Sequence, residues 1–402
     1  MTATPYSGRT ASPRTARAIN DRLALELLQR EGPLTATQLK ELTGLSRPSV
    51  ADLVERLGAA GLIHVVGESG AERRGPNARV YGIIADRAHL AAVDVRTQSV
   101  AIEVADLLGR TIGRAALPVD PQGDPRRTVK RSVALLERTA REAGATALHT
   151  VAVGAPGLVD PATGELRATG QLPVWHSALV AELRQRIGIP VLLDNEVNLA
   201  AVAEQRLGAV RDRDTFVLFW LGHGVGAAVV LDGVLRRGAS GGAGEIGFLP
   251  VPGTFQLPSA SLCEGGFHSL AGSAAVCALA RAHHLPVMGE DDDAAAAEAV
   301  VARARAGGKH GELFLDALAA RIAIGAAAVC AVLDPGCVVL AGEVGRAGGE
   351  ALATRVGEGL ARMTPLPTEV RAGAVEGSAV LRGAVLTAMD AAQNRLFAPE
   401  TP

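Results

Sequence analysis

Aromatic side chains are scarce in this chain: Phe, Trp and Tyr together make up 3% of its 402 residues. A core without them must be filled by Ala, Val and Leu. With 48% apolar residues overall, the composition is that of a globular protein and not of a disordered one. The opening stretch, MTATPYSGRTASPRTARAIN, has no apolar run of the length a secretory signal needs. The longest apolar run, IAIGAAAVCAVL at 322–333, ends at Asp334-Pro335 and is too short to span a bilayer, which suits a buried helix. Neither export nor a membrane anchor is expected, and the cytoplasm is the expected compartment. Cysteine is equally sparse: residues 263, 277, 330 and 337 show no CxxC spacing, and three of them sit in apolar surroundings, so buried reduced thiols are expected ahead of bridges.

A dominant charge is also missing, since 40 basic residues face 42 acidic ones. The distribution is uneven, however. Residues 1–80 carry 11 Lys and Arg against 8 Asp and Glu, while the remainder carries 29 against 34. A mildly basic head on an acidic body fits a nucleic-acid reader joined to something else. The length implies two or three domains, and 47 glycines imply many turns and close backbone approaches.

The head is readable from periodicity. Ile19, Leu23, Leu27 and Leu28 recur at helical spacing up to Gly32-Pro33. Thr35 or Thr37 then caps a second helix carrying Leu39 and Leu42, which ends at Gly44. Ser46 is a good N-cap for a third helix whose apolar face is Val50, Leu53, Val54 and Leu57. LIHVVGESGAERRGPNARVYGII follows as two strands around a Gly, Pro and Arg-rich tip. This is the pattern of a winged helix-turn-helix, and its expected partner is double-stranded DNA. The third helix would enter the major groove with Arg47 and Ser49 nearest the bases, Arg56 reaching a phosphate, and Arg73, Arg74 and Arg79 of the wing at a minor groove or phosphates. The alternative is a winged helix used for protein contact. The arm ahead of it, with Arg9, Arg14 and Arg17 among Ser, Thr and Pro, has the composition of a disordered segment.

Beyond Ile84 strands and helices alternate. LAAVDVRTQSVAIEVAD reads as two strands, TVKRSVALLERTAREAG as a helix, LHTVAVGAPGLVD as a buried strand leading into a loop, and PVLLDN as a strand before the helix EVNLAAVAEQRLG. TFVLFWLGHGVGAAVVLDG gives a strand, a glycine turn and a second strand. The body is therefore α/β, with ligands expected at strand ends.

VAVGAPGLVDPATGEL, LPVW, PVLLDNEVNLAAVAE, GHGVGAAVV and RRGASGGAGEIG, in that order and spacing, resemble the ROK family of sugar kinases and sugar-responsive repressors. With the winged helix ahead of them they resemble its repressor branch, over nearly the whole chain. The resemblance implies an actin-like (ribonuclease H-like) body of two lobes with a sugar cleft between them, assembled as homodimers or homotetramers. On that basis we expect an arm at 1–15, a DNA-binding domain at 16–84, a first lobe at 85–195 plus 375–402, and a second lobe at 196–374.

Kinase members of the family would carry D-x-G-G-T as a first phosphate loop, and this chain has Asp94-Val95-Arg96-Thr97-Gln98, so side chains stand where the glycines would let phosphate approach. The second loop, Gly222 to Gly226, keeps its glycines between two strands, where they equally suit a plain tight turn; LAGEVG at 340–345 keeps only Gly342 of a pair. The resemblance places the catalytic Asp at Glu196, within Asn195-Glu196-Val197-Asn198. A side chain longer by one methylene displaces a positioned base by about 1 Å, which can cost about a hundredfold in rate. Glu196 is thus expected to grip hydroxyl groups without transferring phosphate. Glu245 in Gly244-Glu245-Ile246-Gly247 matches the family's GEIGH, with Phe248 in place of its His. The family's zinc-binding cysteine cluster is reduced to Cys263, so no metal and no cofactor are expected. A family Glu falls on Phe267 and a family Asn on Gln171, implying a less hydroxylated ligand or none.

The expectation is a transcriptional regulator, a repressor by resemblance, with a catalytically inactive sugar-sensing body. It would act on palindromic operators, with Gln171, Asn195, Glu196 and Glu245 as ligand contacts. A sugar kinase using Glu196 as base and a DNA-binding protein without any ligand remain the alternatives. Two other motifs have plainer readings. Gly238-Ala239-Ser240-Gly241-Gly242 fits G-x-S-x-G without the strand and helix a nucleophile elbow needs. His283-His284 with Glu290 to Asp293 reads as a loop and an acidic helix start, not a metal site.

Overall fold

Thr35 opens the head's second helix as expected: its hydroxyl accepts from Gln38 N, and the Gln38 side chain returns a bond to the Thr35 backbone in a capping box. The computed structural model describes residues 13–69, 78–120, 122–167, 173, 175–259, 264–289 and 294–397. In the head, α1 (Pro13–Glu31), β1 (Leu34–Thr35), α2 (Ala36–Thr43), α3 (Arg47–Ala59), β2 (Ile63–Ser69) and β3 (Ala78–Ile83) form a helical trio on a three-stranded sheet of order β1-β3-β2. Gly44 ends α2 in the left-handed region, and Ser46 caps α3 by accepting from Ser49 N. The face of α1 differs from the one expected. Ala24, Leu25, Leu27 and Leu28 are buried, while Ile19 and Leu23 are exposed, because the helix presents its 24/25 side to the neighbouring elements. The helix also starts at Pro13, where proline's missing N–H costs nothing.

The body is built twice over on one plan. The first sheet comprises β4 (His89–Val95), β5 (Ser99–Asp106), β6 (Thr111–Pro118), β7 (Leu148–Ala155) and β8 (Val191–Asn195), with α4 (Pro125–Glu142) and α5 (Trp175–Ile187) packed on one face. After α6 (Glu196–Leu207), the second sheet comprises β9 (Phe216–Leu221), β10 (Val225–Leu231), β11 (Val234–Arg236), β12 (Cys337–Ala341) and β13 (Glu369–Ala372). Around it lie α7 (His268–Ala271), α8 (Ser273–Ala282), α9 (Ala294–Arg305), α10 (Lys309–Leu333) and α11 (Gly342–Ala361). The strand orders are β6-β5-β4-β7-β8 and β11-β10-β9-β12-β13, so each sheet is a three-stranded antiparallel meander extended by two parallel strands. β6 has no counterpart in the sequence reading, since its alternating exposed and half-buried residues give only a weak apolar signal. The apolar run at 322–333 forms the end of α10, whose Phe314, Leu318, Ile322 and Ala326 are buried in the second lobe. The helix is long and apolar enough to cross a membrane by length alone, and more than half of its apolar window is buried in the protein. Cys277, Cys330 and Cys337 are buried, and Cys330 and Cys337 are free thiols; Cys263 lies outside the described residues.

The final helix, α12 (Ala379–Leu396), returns from the second lobe to the first and lies against α6 and strands β4 and β7. Its far end carries the head: Arg22 donates to Asn394 at 2.7 Å, and Gln393 donates both to Gln29 and to the Leu107 carbonyl. One apolar cluster accordingly runs from Leu25 and Leu28 of α1 through Val385 and Met389 of α12 to Leu90 and Leu107 of the first sheet.

Candidate functional site

The parallel strands of both sheets end at one cleft, the place where open α/β sheets bind ligands. β4 delivers Asp94, β8 delivers Asp194 and Asn195, and β12 runs straight into α11 through Gly342. Gly342 has φ 78°, and an added Cβ would lie 2.5 Å from the Leu221 carbonyl oxygen, so only glycine lets α11 start this close to β9.

Arg96, on the turn between β4 and β5, crosses this cleft. Its Nε donates to Asp94 Oδ2 at 3.0 Å and its Nη1 to Glu343 Oε1 at 2.6 Å, with Glu343 in the first turn of α11. An acidic side chain in the first turn of α11 also suits the positive end of the helix dipole. Ser378, the N-cap of α12, donates to Asp94 Oδ2 at 3.5 Å. The remaining cavity, lined by Arg96, Trp220, Gly342, Glu343, Arg346 and Ser378 among others, measures about 210 Å³. This is below the usual range of roughly 300–1,000 Å³ for small-molecule pockets. The retained glycine turn at 222–224 adjoins the same ion pair, because a Cβ on Gly222 would collide with Glu343 Oε2.

Three carboxylates around one guanidinium leave negative charge uncompensated. Burial, reinforced by Asp94 and Glu343 and offset by Arg96, pushes the Glu196 carboxyl up to about 8. Burial raises Asp94 in the same direction despite Arg96, and its second oxygen, Oδ1, is buried without a hydrogen-bond partner. Although burial opposes its charge, Asp94, Glu343 and Glu196 hold the Arg96 guanidinium above its ordinary value. At neutral pH Glu196 therefore keeps its proton and can both donate to and accept from a hydroxyl. His176, buried beneath the cleft at the start of α5, is held neutral by burial, which pushes it down to about 4.

Asn195 caps α6 by accepting from Val197 N at 2.8 Å and donates to the Gly157 carbonyl at 2.9 Å, so both ends of its amide are engaged. Asp194 accepts from Asn198 at 2.9 Å and from Arg237 of the second lobe at 2.5 Å, forming a second ionic tie between the lobes. Glu245 lies exposed on the facing loop, its carboxyl raised by partial loss of water. That loop meets the first lobe at Gly241, where an added Cβ would collide with the Val159 carbonyl, so Asn195 and Glu245 flank the same 157–161 segment. The role of Gly241 is this close approach, followed only by a single 3-10 turn at Ile246–Phe248 and by no α-helix before His268. Gln171 lies outside the described residues. Phe267 does not line the cleft as expected: it is fully buried against Phe219 and Gly325 in the second-lobe core, so it says nothing about ligand polarity. Among the described residues no cluster of His, Cys, Asp or Glu is arranged to hold a metal, and Glu290 to Asp293 lie outside them.

On the head, Arg47 and Ser49 are exposed at the start of α3, and Arg79 is exposed on β3. Arg73 and Arg74 lie outside the described residues. Arg56 departs from expectation: it is clamped between Asp21 of α1, at 2.5 Å, and Asp52, so a phosphate would have to displace two carboxylates. Sequence reading missed Glu343, Arg237 and Ser378, whose partners are between 43 and 284 positions distant.

A model described as the ROK family matches residues 90–391, and one described as the MarR family matches residues 19–75. The chain is 23% identical over 233 residues to the xylose repressor of Caldicellulosiruptor bescii and 25% identical over 248 residues to the DNA-binding transcriptional dual regulator NagC of Escherichia coli K12. In both cases the match spans 58% of this chain and 58% of the relative. Among solved structures, a ROK family transcriptional regulator described as a homolog of the E. coli MLC protein superposes with TM-score 0.75 at 21% identity, covering 95% of this chain and 98% of the other. A ROK hexokinase from Thermus thermophilus superposes with TM-score 0.60 at 28% identity, covering 76% and 99%. The similar proteins thus include both regulators and sugar kinases.

Proposed function

This chain belongs to the ROK family, and from that premise we propose that it is a DNA-binding transcriptional regulator whose kinase-like body senses a sugar or related metabolite and transfers no phosphate. The observation that carries this reading is the Arg96 guanidinium lodged between Asp94 and Glu343 where a nucleotide's phosphates would need open backbone. The exposed Arg47 and Ser49 at the start of α3 support the DNA-reading half, and the xylose repressor and NagC among its relatives support the regulatory one. The head at 16–84, a first lobe at 85–195 plus 375–402 and a second lobe at 196–374 are the units of this reading. A homodimer, or a tetramer built from two, would place two heads on palindromic half-sites about 34 Å apart or a multiple of that. Glu196, Asn195, Glu245 and Gln171 are the ligand contacts, Arg79 with Arg73 and Arg74 the wing contacts, and the cytoplasm the compartment.

The test is selection of duplexes from genomic fragments, followed by anisotropy titration. The wild-type chain should prefer one palindromic sequence, and Arg47→Ala should weaken that binding by about 1–3 kcal/mol. Incubation with labelled ATP and a sugar panel should give no labelled product. Preference for no duplex, or turnover that Glu196→Gln abolishes, would overturn the reading.

A further inference from the structure

Two features of the cleft have no role in reading DNA or gripping a sugar: a guanidinium that spans the lobes, and a helix that begins beside it and ends on the head. Arg96 belongs to the first sheet, whereas Glu343 starts α11 on the second. The Asp94 side chain that Arg96 also holds is 3% exposed, Glu343 15% and Arg96 itself 36%, so the carboxylates are shielded while water partly screens the guanidinium. Ser378 donates to the same Asp94 oxygen that accepts from Arg96 Nε, and it caps α12, whose other end holds Arg22 and Gln29 of α1. The segment just before Ser378 is pinned as well. The Glu204 carboxylate accepts from Ala374 N and Val375 N, fixing the loop by which the chain crosses between lobes.

We propose that Arg96 is a positioning residue, a built-in latch that holds the two lobes at one spacing in the absence of any bound molecule and keeps the start of α12 ordered. The proposal rests on the regulator reading for its purpose, because a latch matters where lobe angle is transmitted to a DNA-binding head.

The experiment is hydrogen–deuterium exchange on the full-length protein, following peptides that cover 221–224 and 373–378, with operator binding measured on the same preparations. Glu343→Gln, which keeps the shape and an acceptor for Arg96, should accelerate exchange at both segments by about tenfold while leaving α8 and α9 unchanged. Arg96→Gln should do the same, Arg96→Lys should recover part of the protection, and the Arg96→Gln, Glu343→Gln double variant should exchange no faster than either single one. Wild-type exchange in Glu343→Gln, effects that multiply in the double variant, or Arg96→Lys behaving like Arg96→Gln would each overturn the latch. A wild-type protein that binds no duplex would instead sink the regulator reading and leave the exchange comparison to judge the latch by itself.

Discussion

The turn after β4 and the turn after β9 occupy the same place in two sheets of the same strand order, yet they have met opposite fates. In the first, Arg96-Thr97-Gln98 puts three side chains at the turn, and Arg96 crosses the cleft. In the second, Gly222-His223-Gly224 keeps both glycines. The two outcomes depend on each other. Arg96 needs Glu343 as a partner, and Glu343 has room only because Gly222 has no Cβ. The glycine at 222 thus serves the ion pair on the neighbouring turn by leaving space for the Glu343 carboxylate.

Breaking the filled turn should have the largest effect. Arg96→Met leaves Asp94 and Glu343 without their counter-ion; a fully buried pair typically loses about 3–5 kcal/mol when broken, and with the Arg96 side chain 36% exposed the loss here should be about 2–3 kcal/mol, read as a lower urea midpoint with unchanged slope. The open turn is next: Gly222→Ala should lose about 1–3 kcal/mol through overpacking, and most of that loss should vanish in a Glu343→Ala background, where the colliding oxygen is gone. Thermal melts of the four proteins in that cycle would show an additive result if the two turns were independent.

The third prediction concerns the proton the filled turn imposes on its neighbour. Glu196 rises from 4.5 to about 8 in the folded chain, so the folded state holds a proton that the unfolded state releases between those values. The associated stability is complete below about pH 4.5 and is lost as pH rises through 8; Asp94 shifts in the same direction. Glu196→Gln should therefore gain on the order of 1 kcal/mol or more over wild type at pH 8, and little at pH 5, in paired melts. The smallest effect is expected from Ser378→Ala, which removes the α12 cap and a long bond to Asp94, a loss of about 1 kcal/mol in the same assay.

Much of the head was legible because its signals are local. Thr35, Gly44 and Ser46 act within four residues of themselves, and each sits where cap chemistry places it. The strands β4, β5, β7, β8, β9 and β10 were legible for a related reason, as continuous apolar runs between turns. The exposed edge strand β6 and the buried face of α1 were not, since amphipathic alternation and a choice among neighbouring leucines are settled by tertiary packing. At the site, the family resemblance implied that Arg96 and Thr97 stand in place of glycine, but not what Arg96 holds, because Glu343 is 247 positions away. The same limit explains Arg56, whose place on the third helix is visible in its spacing while its clamp by Asp21 depends on how α1 crosses α3. It also explains Phe267, whose alignment with a cleft residue gave no hint that its ring is buried against Gly325.

The position of α12 in the chain also determines how the protein can be assembled. The first sheet is complete by Asn195, but the helix that covers Leu90, Ala92 and Ala152 on its inner face is the last of the described elements to be synthesised. During translation that face stays uncovered until roughly two hundred further residues have emerged, which at about 5–20 residues per second leaves it open for ten seconds or more. The head is in the same position, since α1 docks on Met389, Gln393 and Asn394. A nascent chain stalled before Ala379 therefore carries a finished head whose first helix has α2, α3 and β3 to rest on but none of its contacts to α12.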